Sequence, residues 1–313
     1  MVADDQAFRF RQSADRLTGS ASSSRYGIAV SGGPDSMALL WLAHQAFSGQ
    51  VEAATVDHGL RSASADEAAM VAAYCADIGV PHRTLHPSEP ITGNIQSAAR
   101  LKRYALLEDW RAERGLDWLM TAHHADDQLE TMLMRLNRGS GVSGLAGVRT
   151  RSGAILRPLL GWRKAELQAL VETKGMPFVH DPSNVDERFD RASLRKRLAD
   201  ADWLDPLAAT RSAAALADAE EALQWMMAEL CAEHLVHDGD RWILKVTGFP
   251  REIQRRLIIR MLEQAEPEAP PPRGDALDAA LVHLNSGGKA MLGNWLFTGG
   301  KSWTLSRAPA RRH

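Results

Sequence analysis

Short apolar runs alternate with amphipathic helical patterns through the first two-thirds of this 313-residue chain, and that alternation limits the fold more than any other feature. The runs "GIAV" (27–30), "VEAATVD" (51–57), "PHRTLH" (81–86) and "DWLMTAH" (117–123) read as strands. Helices are expected between them, near 34–47, 64–78, 94–114 and 125–137. Ser64-Ala-Asp-Glu67 has the pattern of a capping box, Asn94 can cap the third helix, and Gly79 and Gly115 can end the second and third. Strands joined through helices predict an α/β fold with a doubly wound parallel sheet. In such sheets ligands gather beyond the carboxyl ends of the strands.

The pattern changes after Asp205-Pro206. A long alanine-rich helix and a second helix, "REIQRRLIIRMLEQ", are followed by the proline run "EPEAPPPRGD" and one more helix near 275–285. "AMLGNWLF" and "KSWTLSR" then read as two strands around a glycine turn. The expectation is an N-terminal extension over 1–24, a catalytic domain over 25–208, and a smaller, mainly helical C-terminal domain over 209–313 that ends in a β-hairpin. Apolar stripes on the C-terminal helices can pack internally or against a second copy in a homodimer.

Hydrophobic and charged contents of 45% and 24% are ordinary for a soluble globular protein. Cys75 and Cys231 form no CxxC pair, which argues against a structural zinc site or iron–sulfur cluster and fits a reducing cytoplasm. The N-terminus lacks a signal-peptide layout, and no apolar run is long enough to span a membrane. Net charge is −2, yet residues 149–197 hold eleven Lys/Arg against six acids, and the stretch from Lys301 onward adds four more cations. Such a patch either steers a polyanion or is a solvated helix face and a frayed terminus.

"SGGPDS" (31–36) stands between a strand and a helix, where unpaired N–H groups meet the positive end of a helix dipole. Gly32 and Gly33 let backbone approach an anion, and Ser31 and Ser36 can add hydroxyl donors. Asp35 beside phosphates calls for a cation such as Mg²⁺. The lysine of the familiar phosphate loop is missing. A tight turn with a capping serine is the plainer alternative. "TAHHADDQLETMLMRL" (121–136) places His123, Asp127, Glu130 and Thr131 on one expected helix face, with Leu129, Leu133 and Leu136 toward the core. Collectively its polar residues suggest metal or proton handling, although acids near a helix start also act simply as dipole partners. "VDHGLR" (56–61) puts Asp57, His58 and Arg61 beyond the second strand, and "NIQSAARLKRY" (94–104) puts Arg100 and Arg103 on a helix. "RGSGVSGLAG" (138–147) is either a loop that folds over a ligand or a mobile linker.

In their order along the chain (SGGPDS, VDHGLR, NIQSAARLKRY, TAHHADDQLET, RGSGVSGLAG) and in their spacing, these five motifs closely resemble the N-type ATP pyrophosphatase (PP-loop) superfamily and, within it, the tRNA(Ile)-lysidine synthetase family. The resemblance is strong over roughly 25–205 and continues through "RPLLGWRKAEL" (157–167) and "HDPSNVDERFDRASLRKRL" (180–198). It implies cleavage of ATP between the α- and β-phosphates, so that the loop holds departing pyrophosphate and needs no lysine. It further implies adenylation of C2 of the wobble cytidine in the CAU-anticodon tRNA(Ile), then attack by free L-lysine and loss of AMP. Carried over residue by residue, Ser31, Gly32, Gly33, Pro34, Asp35, Ser36, Val56, His58 and Arg100 bind ATP. Asp35 helps to hold Mg²⁺, and Asp35, His123, Asp127 and Arg195 serve catalysis. Ala192 departs from the family's pattern, where asparagine is expected. The chain resembles the family's compact form, and the C-terminal third would dock tRNA, by analogy. Rival readings are a tRNA thiolase, an amide-forming ligase and a nucleotide- or tRNA-binding module without turnover.

Overall fold

A computed structural model describes residues 2–19, 23–59, 63–88, 95–180, 190–198 and 201–309. Of the features singled out above, Arg61, Asn94 and the DPSN stretch at 181–184 lie outside the described residues, as does the Ala192 side chain. The first unit, Met1–Ala217, opens with α1 (Val2–Thr18). β1 (Tyr26–Ala29), α2 (Pro34–Ala46), β2 (Val51–Val56), α3 (Ala63–Asp77), β3 (His82–Leu85), α4 (Ile95–Glu113), β4 (Trp118–Met120) and α5 (Ala125–Asn137) then alternate as expected. The short α6 (Val142–Leu145), β5 (Arg151–Ser152), β6 (Ile155–Leu156), α7 (Lys164–Thr173) and α8 (Asp190–Leu198) follow.

The strands form one sheet in the order β3-β2-β1-β4-β6-β5, parallel except for the β5–β6 hairpin. Strand pleating sends neighbouring side chains to opposite faces. Ala53 and Met120 therefore join the core formed with α1, α2, α3 and α7, while Ala54 and Leu119 join the one formed with α4, through Leu107 and Trp110. Helices thus cover both faces, as in a doubly wound sheet. Phe10 and Ala14 of α1 are fully buried in the first of these cores.

Local details differ from expectation. α3 begins at Ala63, so Ser64 lies inside the first turn and its Oγ donates to Asp57 Oδ1 (2.6 Å) instead of capping. α5 begins at Ala125, so His123 precedes the helix and does not share a helical face with Asp127. Leu136 is exposed.

The second unit, Asp218–His313, begins inside α9 (Pro206–His234). It continues with β7 (Leu235–Asp238), β8 (Arg241–Leu244), α10 (Arg251–Ala265), α11 (Gly274–Asn285), β9 (Lys289–Leu292), β10 (Trp295–Thr298) and β11 (Trp303–Arg307). Helix outweighs strand in this unit, as expected, but the strand content exceeds one hairpin. The expected hairpin, β10–β11, is the centre of a five-stranded antiparallel sheet in the order β7-β8-β11-β10-β9. β7 and β8, which were not expected, are each four residues long, too short for alternation to register, and β8 gains its place by pairing with the distant β11; the run "AMLGNWLF" is split at Gly293 into β9 and β10. Leu257, Ile258 and Met261 of α10 and Leu277, Leu281 and Leu284 of α11 pack with Phe297, Trp303 and Leu305. The apolar stripes that allowed a homodimer thus face their own unit's core. Among the described residues no helix is long and apolar enough to cross a membrane.

Candidate active site

β1 ends at the sheet's carboxyl edge, and the chain turns into α2 through Ser31, Gly32 and Gly33, with Pro34 opening the helix. Pro34 suits this place because its missing N–H is one that a first helical turn leaves unpaired. Gly32 has φ +83°, a left-handed conformation that favours glycine. Gly33 is the N-cap and supplies no side-chain cap, so the helix-start N–H groups lack that partner. The two serines of the motif play different parts. The Ser36 hydroxyl is buried, donates to Gly33 O (2.9 Å) and accepts from Ser31 N–H (3.1 Å), which closes the loop on itself. Ser31 is exposed, and its hydroxyl donates to Ser36 Oγ (3.3 Å).

Asp35, in the first turn of α2, faces the start of α5. Its Oδ2 lies 3.5 Å from His124 Nε2, and its Oδ1 is buried without a hydrogen-bond partner. His124 is 3% exposed and caps α5: its Nδ1 accepts from Asp127 N–H (3.3 Å) while Asp127 Oδ2 accepts from His124 N–H (3.2 Å). Its neutral form therefore carries the proton on Nε2, toward Asp35 and toward Asp127 Oδ2 at 3.4 Å. Burial pulls the His124 pKa down, but the Asp35 hydrogen bond and the charges of Asp127, Asp35 and Asp126 outweigh it, and the pKa is raised.

His123 behaves oppositely. Burial drives its pKa down to about 4; Asp127 resists, and the cations Arg157, Arg100 and Arg103 add to the fall. It is a neutral imidazole at physiological pH, with Nδ1 3.0 Å from Thr121 Oγ1.

Arg195 reaches α5 from α8. Its Nε donates to Glu130 Oε1 (2.6 Å), and its Nη2 lies 3.3 Å from Asp127 Oδ1. Burial opposes the charge, but the Glu130 hydrogen bond and the carboxylates of Glu130, Asp127 and Asp35 raise the guanidinium pKa. Asp35, His124, Asp127, Arg195 and Glu130 therefore form one continuous polar chain behind the glycine loop. The third acid of the motif, Asp126, serves architecture: its carboxylate accepts from Lys164 N–H (2.8 Å) and pairs with Arg163 (3.2 Å), tying α5 to α7.

The glycine-rich loop at 138–147 is pinned at its C-terminal end. Gln128 accepts from Val148 N–H (2.7 Å) and donates to Val148 O (3.2 Å), while Arg135 donates to Gly144 O (2.6 Å) and Gly147 O (3.2 Å). Gly147 has φ +65°, and a Cβ there would meet Gln128 Oε1 at 2.5 Å.

The remaining expected residues lie along the same edge. Val56 ends β2, and His58 follows it with Nδ1 buried and unpartnered. Burial first, and then the Arg103 charge, lowers the His58 pKa. Asp57 is a turn residue whose Oδ1 accepts from Gly59 N–H (2.8 Å) and Ser64 Oγ. Arg100 is exposed on α4, its guanidinium 5.2 Å from the centre of the Tyr104 ring. No group of three or more His, Cys, Asp or Glu side chains able to hold a metal occurs among the described residues.

The model of the PP-loop domain family matches residues 6–202. A protein from Zymomonas mobilis subsp. mobilis named tRNA(Ile)-lysidine synthase is 41% identical over 97% of this chain and 94% of its own length. The chain belongs to the tRNA(Ile)-lysidine synthase family. A protein of that name from Novosphingobium aromaticivorans is 42% identical over 93% of this chain and 91% of its own length. Among solved structures, the U34-tRNA thiolase NcsA from Methanococcus maripaludis shares the fold, with TM-score 0.55 and 16% identity over 68% of this chain and 79% of that one.

In this tRNA(Ile)-lysidine synthase family member, sequence reasoning gave no individual role to His124 or Arg157, and placed Glu130 only on the polar face shared with Asp127. His124 was legible as the N-cap of a box with Asp127 at N3, disguised by histidine in place of serine or threonine. Glu130 stands three residues beyond Asp127 on the same helix face. Arg157 carries no local signal.

Proposed function

We propose that this chain is an ATP-dependent ligase that joins free L-lysine to C2 of the wobble cytidine of CAU-anticodon tRNA(Ile), acting in the cytoplasm. End-to-end likeness to proteins named tRNA(Ile)-lysidine synthase carries this reading. The cytidine O2 attacks the α-phosphorus of ATP and pyrophosphate leaves. The lysine ε-amine then attacks C2, the C–O bond breaks, AMP departs and the new C–N nitrogen loses a proton.

The residues suit these steps. The helix-start N–H groups of α2, and the exposed Ser31 hydroxyl once it turns from Ser36, are donors for the pyrophosphate end of ATP. Asp35 Oδ1, buried and unpartnered, fits a Mg²⁺ that keeps water and phosphate oxygens as its other ligands, the usual habit of that ion. Mg²⁺ would neutralise phosphate charge there. Val56, His58 and Arg100 would flank the rest of the nucleotide. His123, neutral, can hydrogen-bond the reacting base or α-phosphate without adding charge. Arg195 would offset charge growing on phosphate during adenylation, which requires it to loosen its grip on Glu130 and Asp127. In this reading residues 25–208 carry the chemistry and 209–313 dock tRNA.

The thiolase alternative is disfavoured by Cys75, whose thiol sits in the first core with its pKa pushed up to about 12 by burial. The deciding experiment supplies labelled lysine and ATP with either isoleucine or elongator methionine tRNA bearing CAU. Lysine fixed only into the isoleucine tRNA, with AMP and pyrophosphate released, is expected. ADP and orthophosphate as products would overturn the reading.

A further inference from the structure

Arg157 is the only arginine or lysine among the buried described residues, with 8% of its surface exposed. Its Nη1 donates to Arg149 O (2.8 Å), while its Nε is buried without a partner. Among the described residues no carboxylate lies within ion-pair distance of it. The other inward-reaching arginines differ. Arg195 is matched by Glu130 and Asp127, Arg256 by Glu220 and Glu252, and Arg163 by Asp126. A buried guanidinium left without a counter-charge is unfavourable unless an anion arrives to meet it.

The sheet register shows where that anion would sit. β6 pairs with β4 with Leu156 opposite Met120, and Thr121 N–H donates to Leu156 O (3.0 Å). Arg157 is thus beside Thr121 at the carboxyl edge, and Thr121 holds His123. Met120 and Leu156 point into the α2 side of the sheet and Leu119 and Ile155 to the α4 side, so pleating sends Thr121 and Arg157 toward α4. Arg100 and Arg103 of α4 approach from there, each resting on Tyr104, whose hydroxyl is also buried and unpartnered. Neither has a carboxylate partner among the described residues. Three cations and several unmet donors therefore converge about two strand spacings, roughly 10 Å, from the glycine loop.

We propose that Arg157, with Arg100 and Arg103 opposite it, forms a phosphate-binding site at the β6 end of the edge, beside His123 and distinct from the α2 cradle. The site rests on the proposed reaction for its two candidate sources, a phosphate of ATP or a backbone phosphodiester of the tRNA. Arg157→Met keeps the volume and removes the charge, and Arg157→Lys keeps the charge. The apo methionine variant is expected to melt at or above the wild-type temperature, because an unmatched charge has gone. It should bind one of the two ligands at least tenfold more weakly, with partial recovery in the lysine variant. A rise in the ATP dissociation constant alone assigns the site to the nucleotide. A rise for tRNA alone, with the slope of log K against log salt shallower by about one, assigns it to the tRNA backbone. Wild-type affinity for both ligands in Arg157→Met overturns the site, as does a lowered melting temperature with binding unchanged. If the methionine variant does not fold, affinities in Arg157→Lys within twofold of wild type for both ligands overturn it. Wild-type lysine transfer is measured alongside: its absence sinks the proposed reaction, whereas its presence with unaltered Arg157 variants sinks only the site.

Discussion

In the second unit, Arg256 is clasped by Glu220 at 2.7 Å and by Glu252 at 2.9 Å, and Gln254 exchanges hydrogen bonds with Asn285 and Thr247 O. At the carboxyl edge of the first sheet, Asp35 Oδ1, His58 Nδ1, Glu130 Oε2 and Arg157 Nε are all buried and lack partners. Trp303 Nε1 is the one buried side-chain atom of this kind in the described second unit. Unmet buried polar groups are unfavourable, so a fold keeps them where something else will satisfy them. The contrast separates an edge whose buried polar groups await ligands from a core whose buried polar groups satisfy one another.

Mutations can break or sharpen that contrast. The largest effect is expected from Asp35→Asn, which should lower AMP and pyrophosphate release by about 10³-fold while leaving the melting temperature near wild type. Retained turnover would remove Asp35 from the chemistry. Glu220→Gln should act the other way round, destabilising the protein by about 3 kcal/mol in denaturant titrations while folded molecules keep normal turnover. A catalytic defect in folded molecules would show that this ion pair does more than hold the second unit together. Gly147→Ala strains a left-handed residue and crowds Gln128; a loss of about 2 kcal/mol is expected, with reduced activity as the 138–147 loop is released.

The smallest effect distinguishes the adjacent histidines by pH. His123 titrates near 4 when folded against the ordinary 6.5, so its contribution to stability is complete above 6.5 and is lost as pH falls toward 4. His124, with its raised pKa, contributes below 6.5 and loses that contribution as pH rises through the raised value. The stability advantage of wild type over His123→Gln should therefore shrink by on the order of 1–2 kcal/mol between pH 7 and pH 4. An advantage that grows on acidification would refute the neutral assignment.

Strands β1 to β4 and their helices were legible because their apolar runs are bounded by glycines and helix signals. β5 and β6 were not, since two residues carry no period, and β7 and β8 become strands only through tertiary pairing. The same limit applies to the site. Asp35, His123, Asp127 and Arg195 sit in motifs whose residue types are out of place in a packing helix. Arg157 acquires its meaning from the β4–β6 register, which no local pattern encodes.

Four residues of α5 engage three neighbours in barely two turns: Asp126 with α7, Asp127 with Arg195, Gln128 with the loop at 146–148, and Glu130 with Arg195 again. Each successive residue is turned about 100° from the last, so these partners are read off by rotational phase. One residue inserted after His124 would swing every one of those side chains a third of a turn away at once. Substitutions along this stretch should therefore be graded in effect, whereas a single insertion or deletion is expected to be intolerable.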